Sequence, residues 1–124
     1  MHRPDKELQD LRPEVYTEAD KAGSIESFQN DVLRPILKFQ HDLLMATSLS
    51  NLVLNRCFKQ ETIEGKRTEI KQVFAKNAHI KYQFIGMVTG LMTTDEFASY
   101  QLNKSEYDKR LTNMIVQRLM DGRS

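Results

Sequence analysis

The amino-acid sequence predicts an all-α protein, and three observations favour that class. Apolar residues recur three and four positions apart through most of the chain, which is typical of amphipathic helices. No sustained run alternates Val, Ile or Thr with polar residues, so no β-strand is predicted. The 124 residues, 40% of them hydrophobic, suffice for one hydrophobic core but not for two. We therefore predict a single-domain helical bundle of four to six helices.

Residues 1–23 are a polar segment that precedes the periodic part of the chain. We interpret them as a partly flexible N-terminal arm that contains one short helical turn. The arm either docks on the body through Leu11, Val15 and Tyr16 or is a frayed terminus. Residues 24–124 are predicted to form the helical domain.

The first main helix is predicted to begin after Ser24, which can cap it, and to run to about Lys59. Pro35 lies inside this segment, and proline lacks a backbone N–H and clashes with the carbonyl group four residues earlier. The helix therefore either kinks at Pro35 or ends near Leu33, with a new helix starting at the proline. Because the apolar periodicity continues across Pro35, we favour one long, kinked helix.

Two helical patterns follow, over residues 62–77 and 80–92. The second is apolar over most of its circumference, which is typical of the buried centre of a bundle. Asn77 lies between them, and because asparagine is a good cap it favours a joint over one continuous helix.

Capping signals predict the last two helices. Thr93 and Glu96 have the spacing of a capping box, so a short helix is expected to start there. Ser105 and Asp108 repeat that spacing at the start of the final helix, which is expected to stop at Gly122 as a C-terminal cap.

The charge balance excludes a bulk electrostatic attraction to nucleic acid or to an anionic membrane, because 18 basic residues face 17 acidic ones. The final helix nevertheless has a modest excess of basic residues and follows a tight turn. Nucleic-acid binding through this helix is therefore a weaker alternative, against which the interleaved acidic residues argue. Its cations are Lys104, Lys109, Arg110, Arg118 and Arg123.

The single cysteine excludes a disulfide framework. The residues after Met1 do not form an apolar run with a cleavage site, so no secretory signal is predicted. The longest apolar stretch is shorter than the roughly 20 residues that span a bilayer. We expect a cytoplasmic protein without a membrane partner.

No metal or other cofactor is predicted. A metal site on one helix needs a second ligand three or four residues away, and the positions around His41 and His79 hold no good ligand for zinc or iron. Cys57 has no histidine near it in sequence, so we interpret it as a structural, partly buried cysteine. The scattered glycines do not form a phosphate-binding loop.

No catalytic residue is predicted from a motif, and the enzyme hypothesis therefore requires a site assembled from several helices. The polar residues to test first for such a site are His41, Tyr100, Asn103 and Arg110.

Gly86 and Gly90 lie four residues apart, a spacing that leaves a groove on one helix face. Each glycine costs about 1 kcal/mol relative to alanine inside a helix, so a close contact should offset it. That contact is either a tight crossing with the first main helix inside the monomer or a dimer seam. Both interpretations predict that Gly86→Leu destabilises the fold.

The segments Ser27-Phe-Gln-Asn-Asp-Val-Leu-Arg34-Pro35 and Ile85-Gly-Met-Val-Thr-Gly90, followed by Tyr100, Asn103 and Lys109-Arg110, are the basis of a resemblance. In this order the chain resembles a family of small uncharacterised all-helical bacterial proteins that often carry the label "glyoxalase". The resemblance covers nearly the whole chain, implies a bacterial source and a shared fold, and offers no functional residues.

The residues do not support the label. Metal-dependent glyoxalase I enzymes are built from βαβββ units, and the glyoxalase II type needs a Thr-His-x-His-x-Asp-His motif, whereas this chain has three widely spaced histidines. We therefore predict a non-enzymatic interaction or oligomerisation module, with a homodimer or a protein partner as its assembly. The small enzyme remains the alternative.

Overall fold

The structure is a computed structural model that describes residues 3–15 and 23–123. Within these two stretches the secondary structure is helical and contains no β-strand, so the all-α class is confirmed. The helical segments in chain order are α1 (Asp5–Asp10), α2 (Ile25–Phe28), a π-helical turn (Gln29–Leu33), α3 (Arg34–Phe39), α4 (His41–Leu49), α5 (Leu52–Cys57), α6 (Ile63–Lys76), α7 (Ala78–Thr89), α8 (Thr94–Leu102) and α9 (Lys104–Gly122).

The π turn lies immediately before Pro35. The N–H of Arg34 donates to the carbonyl oxygen of Gln29, five residues earlier, which widens the helix at this point. A proline has no N–H to donate, and its ring clashes with a regularly placed carbonyl group four residues earlier, so an irregular turn here has a physical cause. Helical structure therefore continues through the proline instead of ending near Leu33. A kink at Pro35 stays a prediction.

The helix that the periodicity predicted to run unbroken to Lys59 is instead divided into α3, α4 and α5. Gln40 leaves the helical conformation with φ −85° and ψ 3°. Asn51 is extended, with φ −101° and ψ 112°, and its side chain accepts the N–H of Leu54 to cap α5. Because of these two breaks, the described residues contain more helical segments than the predicted four to six.

The other joints follow local side-chain bonds. Asn77 separates α6 from α7 as predicted, but its side-chain amide donates to the carbonyl of Val73 at 3.0 Å and so closes α6 instead of capping α7. Thr93 and Glu96 form the predicted capping box, with both reciprocal bonds present. The box predicted at Ser105 is absent, because α9 already begins at Lys104.

The centre of the bundle is α9, not α7 as the apolar composition of α7 predicted. α9 packs against α4, α6, α7, α8 and the π turn. α7 buries one side only and leaves Tyr82, Gln83 and Gly86 exposed. None of the described helices combines the length and the apolar character needed to cross a membrane. The buried residues of α9 are Tyr107, Asp108, Leu111, Ile115, Val116, Leu119 and Met120.

The glycine that allows a close contact between two helices is Gly122 and not Gly86. A Cβ atom at Gly122 would lie 2.5 Å from the sulfur of Met45 and 3.3 Å from Cε1 of His41, so glycine lets the end of α9 contact α4. Gly122 belongs to α9, and the predicted role as its cap falls to Arg123. A Cβ atom at Gly86 would contact nothing within 4 Å, so the tight crossing predicted inside the monomer is absent there.

The N-terminal arm is attached by arginines. The guanidinium of Arg12 makes two 2.6 Å hydrogen bonds to the carboxylate of Glu96 and one to a backbone carbonyl of the turn between α7 and α8. Arg3 donates to two further carbonyl oxygens of that turn, each at 3.0 Å. Leu11, one of the three residues of the docking alternative, is 50% exposed. Tyr16 lies outside the described residues.

Candidate functional site

The four polar residues proposed for a multi-helix enzyme site occupy separate places. His41 contacts α9, Tyr100 is buried against α9, Asn103 lies in the turn between α8 and α9, and Arg110 bonds to Glu106. The N–H of Asn103 donates to the backbone carbonyl of Tyr100 at the end of α8, but within the described stretches no side-chain hydrogen bond joins any of the four to another. Two of them, His41 and Tyr100, belong to polar clusters that the sequence did not reveal.

The first cluster lines a pocket between α3, the start of α4 and α9, which we call the basic pocket. Its volume is about 460 Å³. Arg34 and Lys38 from α3 stand on one side of it, and Arg118 from α9 stands on the other. His41 completes the basic lining, and Asp121 is the lining carboxylate. Gly122 contributes indirectly, because its lack of a Cβ brings α9 against α4.

Arg118 is the partly buried member of the basic pocket. Its Nη1 lies 3.2 Å from Nδ1 of His41, which holds the guanidinium against α4. Burial and, second, the charge of Arg34 lower the pKa of Arg118 from its usual range. The guanidinium groups of Arg34 and Arg118 thus lie close enough to repel each other electrostatically.

The cations of the basic pocket have few counter-charges. Arg34 donates its Nε to the side-chain oxygen of Asn30 at 2.8 Å, and Lys38 donates to the backbone carbonyl of Glu14 at 3.3 Å. In the part of the chain that the structure describes, neither of them nor Arg118 forms an ion pair. The pocket therefore carries an excess of positive charge.

The sequence alone could have indicated the side of the basic pocket that α3 and the start of α4 supply. Arg34, Lys38 and His41 follow one another at spacings of four and three, which places them on one helix face. The contribution of Arg118 could not be predicted, because it depends on how α9 crosses α4.

The second cluster surrounds the carboxylate of Asp108, which is 5% exposed. It accepts hydrogen bonds from the hydroxyl of Tyr100, from Nζ of Lys104 at 2.5 Å and from the hydroxyl of Tyr82 at 3.3 Å. Burial, and then the Asp108 carboxylate, raise the pKa of Tyr100, so this phenol stays protonated as a donor. Both carboxylate oxygens are occupied, so the cluster serves to connect α7, α8 and α9.

Two further kinds of chemistry to consider are a reactive thiol and a bound metal ion. Cys57 is buried, and burial followed by the charge of Glu69 raises the pKa of its thiol, which is the opposite of what a catalytic thiolate requires. Cys57 is 2% exposed, so it is more deeply buried than the sequence indicated, and its structural role stays a prediction. No three His, Cys, Asp or Glu residues in the described ranges are placed to hold a metal ion.

The basic residues of α9 mostly contact other parts of the chain. Lys104 pairs with Asp108, and Arg110 pairs with Glu106 and Glu26. Arg118 contacts His41, and Arg123 bonds to two polar side chains and stacks 3.9 Å from the centre of a phenylalanine ring. Side chains held in this way do not present a row of cations to a nucleic-acid backbone.

A third feature is an exposed apolar surface, which we call the α4 face. Gln40 and Thr47 of this region bond to Met87 of α7, so the α4 face lies beside Gly86. Its exposed fractions are Phe39 42%, Leu43 53%, Leu49 58%, Leu52 74% and Val53 40%.

Comparison with protein-family models, with curated proteins and with solved structures finds no match to this chain. The resemblance to the helical family labelled "glyoxalase" therefore stays a prediction.

Proposed function

We propose that the chain is a helical interaction module that assembles with a second copy of itself through the α4 face and the adjoining outer side of α7. The observation that carries this proposal is the concentration of apolar side chains that are 40% to 74% exposed on consecutive segments from Phe39 to Val53. A concentration of exposed apolar side chains along neighbouring segments favours an interaction site over singly scattered exposed residues.

Gly86 gives the proposal a second support. Glycine inside a helix costs about 1 kcal/mol relative to alanine, and among the described residues no atom lies within 4 Å of a Cβ placed at Gly86 to offset that cost. A helix from another subunit could approach the backbone closely at this position. Gly90 differs from Gly86. A Cβ atom at Gly90 would lie 2.8 Å from the carbonyl oxygen of Gly86, so a contact within the chain accounts for the glycine at this position.

The alternative of a small enzyme has weaker support, because the four residues proposed for its site lie in separate places. A cytoplasmic location and a bacterial source accompany the proposal as predictions from the sequence.

Light scattering coupled to size-exclusion chromatography tests the proposal. We expect a mass of at least two 14.5 kDa subunits for the unmodified chain. Leu43→Glu places a charge at the centre of the α4 face and should give monomers. Leu102→Glu is the matched control, since Leu102 is 83% exposed on α8 and outside the α4 face. A monomeric unmodified chain at high concentration, or equal masses for both variants, would contradict the proposal.

A further inference from the structure

We infer that the basic pocket binds a small organic molecule through its phosphate group. The first step is charge. Arg34, Lys38 and Arg118 converge on one pocket from two helices that are far apart in sequence, and among the described residues of the lining Asp121 is the one carboxylate beside them. Asp121 accepts a hydrogen bond from Gln117 at 2.9 Å. A ligand with two negative charges relieves the mutual repulsion of these cations, and a phosphate monoester carries nearly that charge at neutral pH.

The second step is geometry. Arg34 is oriented by its bond from Nε to Asn30, and Arg118 is oriented by its contact with His41, so both guanidinium groups are held in place before a ligand arrives. Their remaining N–H groups form planar forks that match the oxygens of a phosphate. Orientation in advance lowers the entropy that binding must overcome.

The third step is the rest of the lining. Leu37 and Met114 supply an apolar wall, and Asn113 supplies an amide group that can donate and accept hydrogen bonds. The amide of Gln117 also lines the pocket and bonds to Asp121 and Arg67. The volume of about 460 Å³ falls in the range of about 300–1,000 Å³ that is usual for small-molecule sites. The pocket therefore has room for an organic group attached to the phosphate. It is separate from the α4 face, so this inference does not depend on the proposed oligomerisation.

Isothermal titration calorimetry with phenyl phosphate, benzoate and inorganic phosphate, each at the same ionic strength, tests the inference on the full chain. We expect saturable binding that is tightest for phenyl phosphate. Inorganic phosphate should bind more weakly because it lacks the apolar group, and benzoate should bind more weakly because it has a single charge. No saturable binding of phenyl phosphate, or equal or tighter binding of either other compound, would overturn the inference.

Substitutions locate the binding. Arg118→Gln and Arg34→Gln should each weaken phenyl phosphate binding at least about tenfold, the range expected when a charge-assisted bond is lost. Arg56→Gln is the control, because it removes the same charge from an exposed position on α5. Arg34 is itself exposed, so its loss should leave the fold intact even if Arg118→Gln destabilises it. Unchanged affinity in Arg34→Gln, or an equal loss in Arg56→Gln, would contradict the assignment.

Discussion

The carboxylate of Asp108 shows how a single buried charge shapes its surroundings. Its donors come from α7, α8 and α9, and Tyr100 is the one that is buried. We expect Tyr100→Phe to lower the free energy of unfolding by about 1–3 kcal/mol, because a hydrogen bond to a buried charged group is lost. Tyr82→Phe should have a smaller effect, since Tyr82 is 44% exposed and water can replace its hydroxyl. Urea unfolding of both variants measures the difference, and equal losses would contradict this account.

The carboxyl group of Glu96 makes part of the free energy of unfolding depend on pH. Burial alone would raise the pKa of this carboxyl, but its bonds with Arg12 and with the N–H of Thr93 outweigh burial and hold the pKa below its usual value. The ion pair therefore stabilises the fold above about pH 4.3, the ordinary pKa of glutamate, and this contribution is lost as the pH falls through the lowered value.

The test compares the unmodified chain with Glu96→Gln across this pH range. At neutral pH the variant should be less stable by about 3 kcal/mol, because Arg12 is left as an unpaired, largely buried charge. The difference should shrink as the pH is lowered below about 4. A difference that stays constant with pH would contradict a contribution from the charge of Glu96.

At the scale of single residues, the sequence predicted the interactions between residues that are close together in the chain. Thr93 and Glu96 were correctly paired as a capping box. The bond between Arg12 and Glu96 could not be predicted, since 84 positions separate the two residues. The same holds for Arg118 in the basic pocket, although the cationic face of α3 could be seen in the sequence.

Helix α7 provides a prediction at the scale of an element, since Gly86 inside it and Gly90 at its C-cap should respond differently to the same change. Gly86→Ala should raise the free energy of unfolding of the monomer by about 1 kcal/mol, because alanine favours the helix and its Cβ enters open space. Gly90→Ala should bring no such gain, because its Cβ would clash with the carbonyl oxygen of Gly86. Thermal unfolding at low protein concentration measures both. If Gly86→Ala instead lowered the free energy of unfolding, Gly86 would lie in a tight helix crossing within the chain, contrary to this account.

The boundaries of the elements were predicted where a side chain caps a helix and missed where apolar periodicity concealed a break. Ser24 and Thr93 cap their helices as the sequence indicated. Asn51 also caps a helix, but the apolar spacing on both sides of it favoured an unbroken segment. The central position of α9 was missed because its polar residues lowered its apparent hydrophobicity, while α7, in spite of its apolar composition, leaves Tyr82, Gln83 and Gly86 exposed.

The whole molecule is arranged around α9. The all-α class could be predicted from periodicity, because that signal is repeated in every segment. The arrangement of the helices could not be predicted, since it depends on long-range contacts such as that of Gly122 with Met45. The exposed α4 face is also a property of the whole molecule. It is therefore tested by measuring the mass of the assembly.

The central position of α9 has a consequence for the order of events during synthesis. α9 follows in the chain every helix that it packs against, so the ribosome makes α4 to α8 before their common partner exists. Arg3 is made early as well, yet its carbonyl partner in Met92 is 89 positions away. The apolar surfaces of the earlier helices therefore remain uncovered until α9 emerges, and during that interval chaperones have access to them.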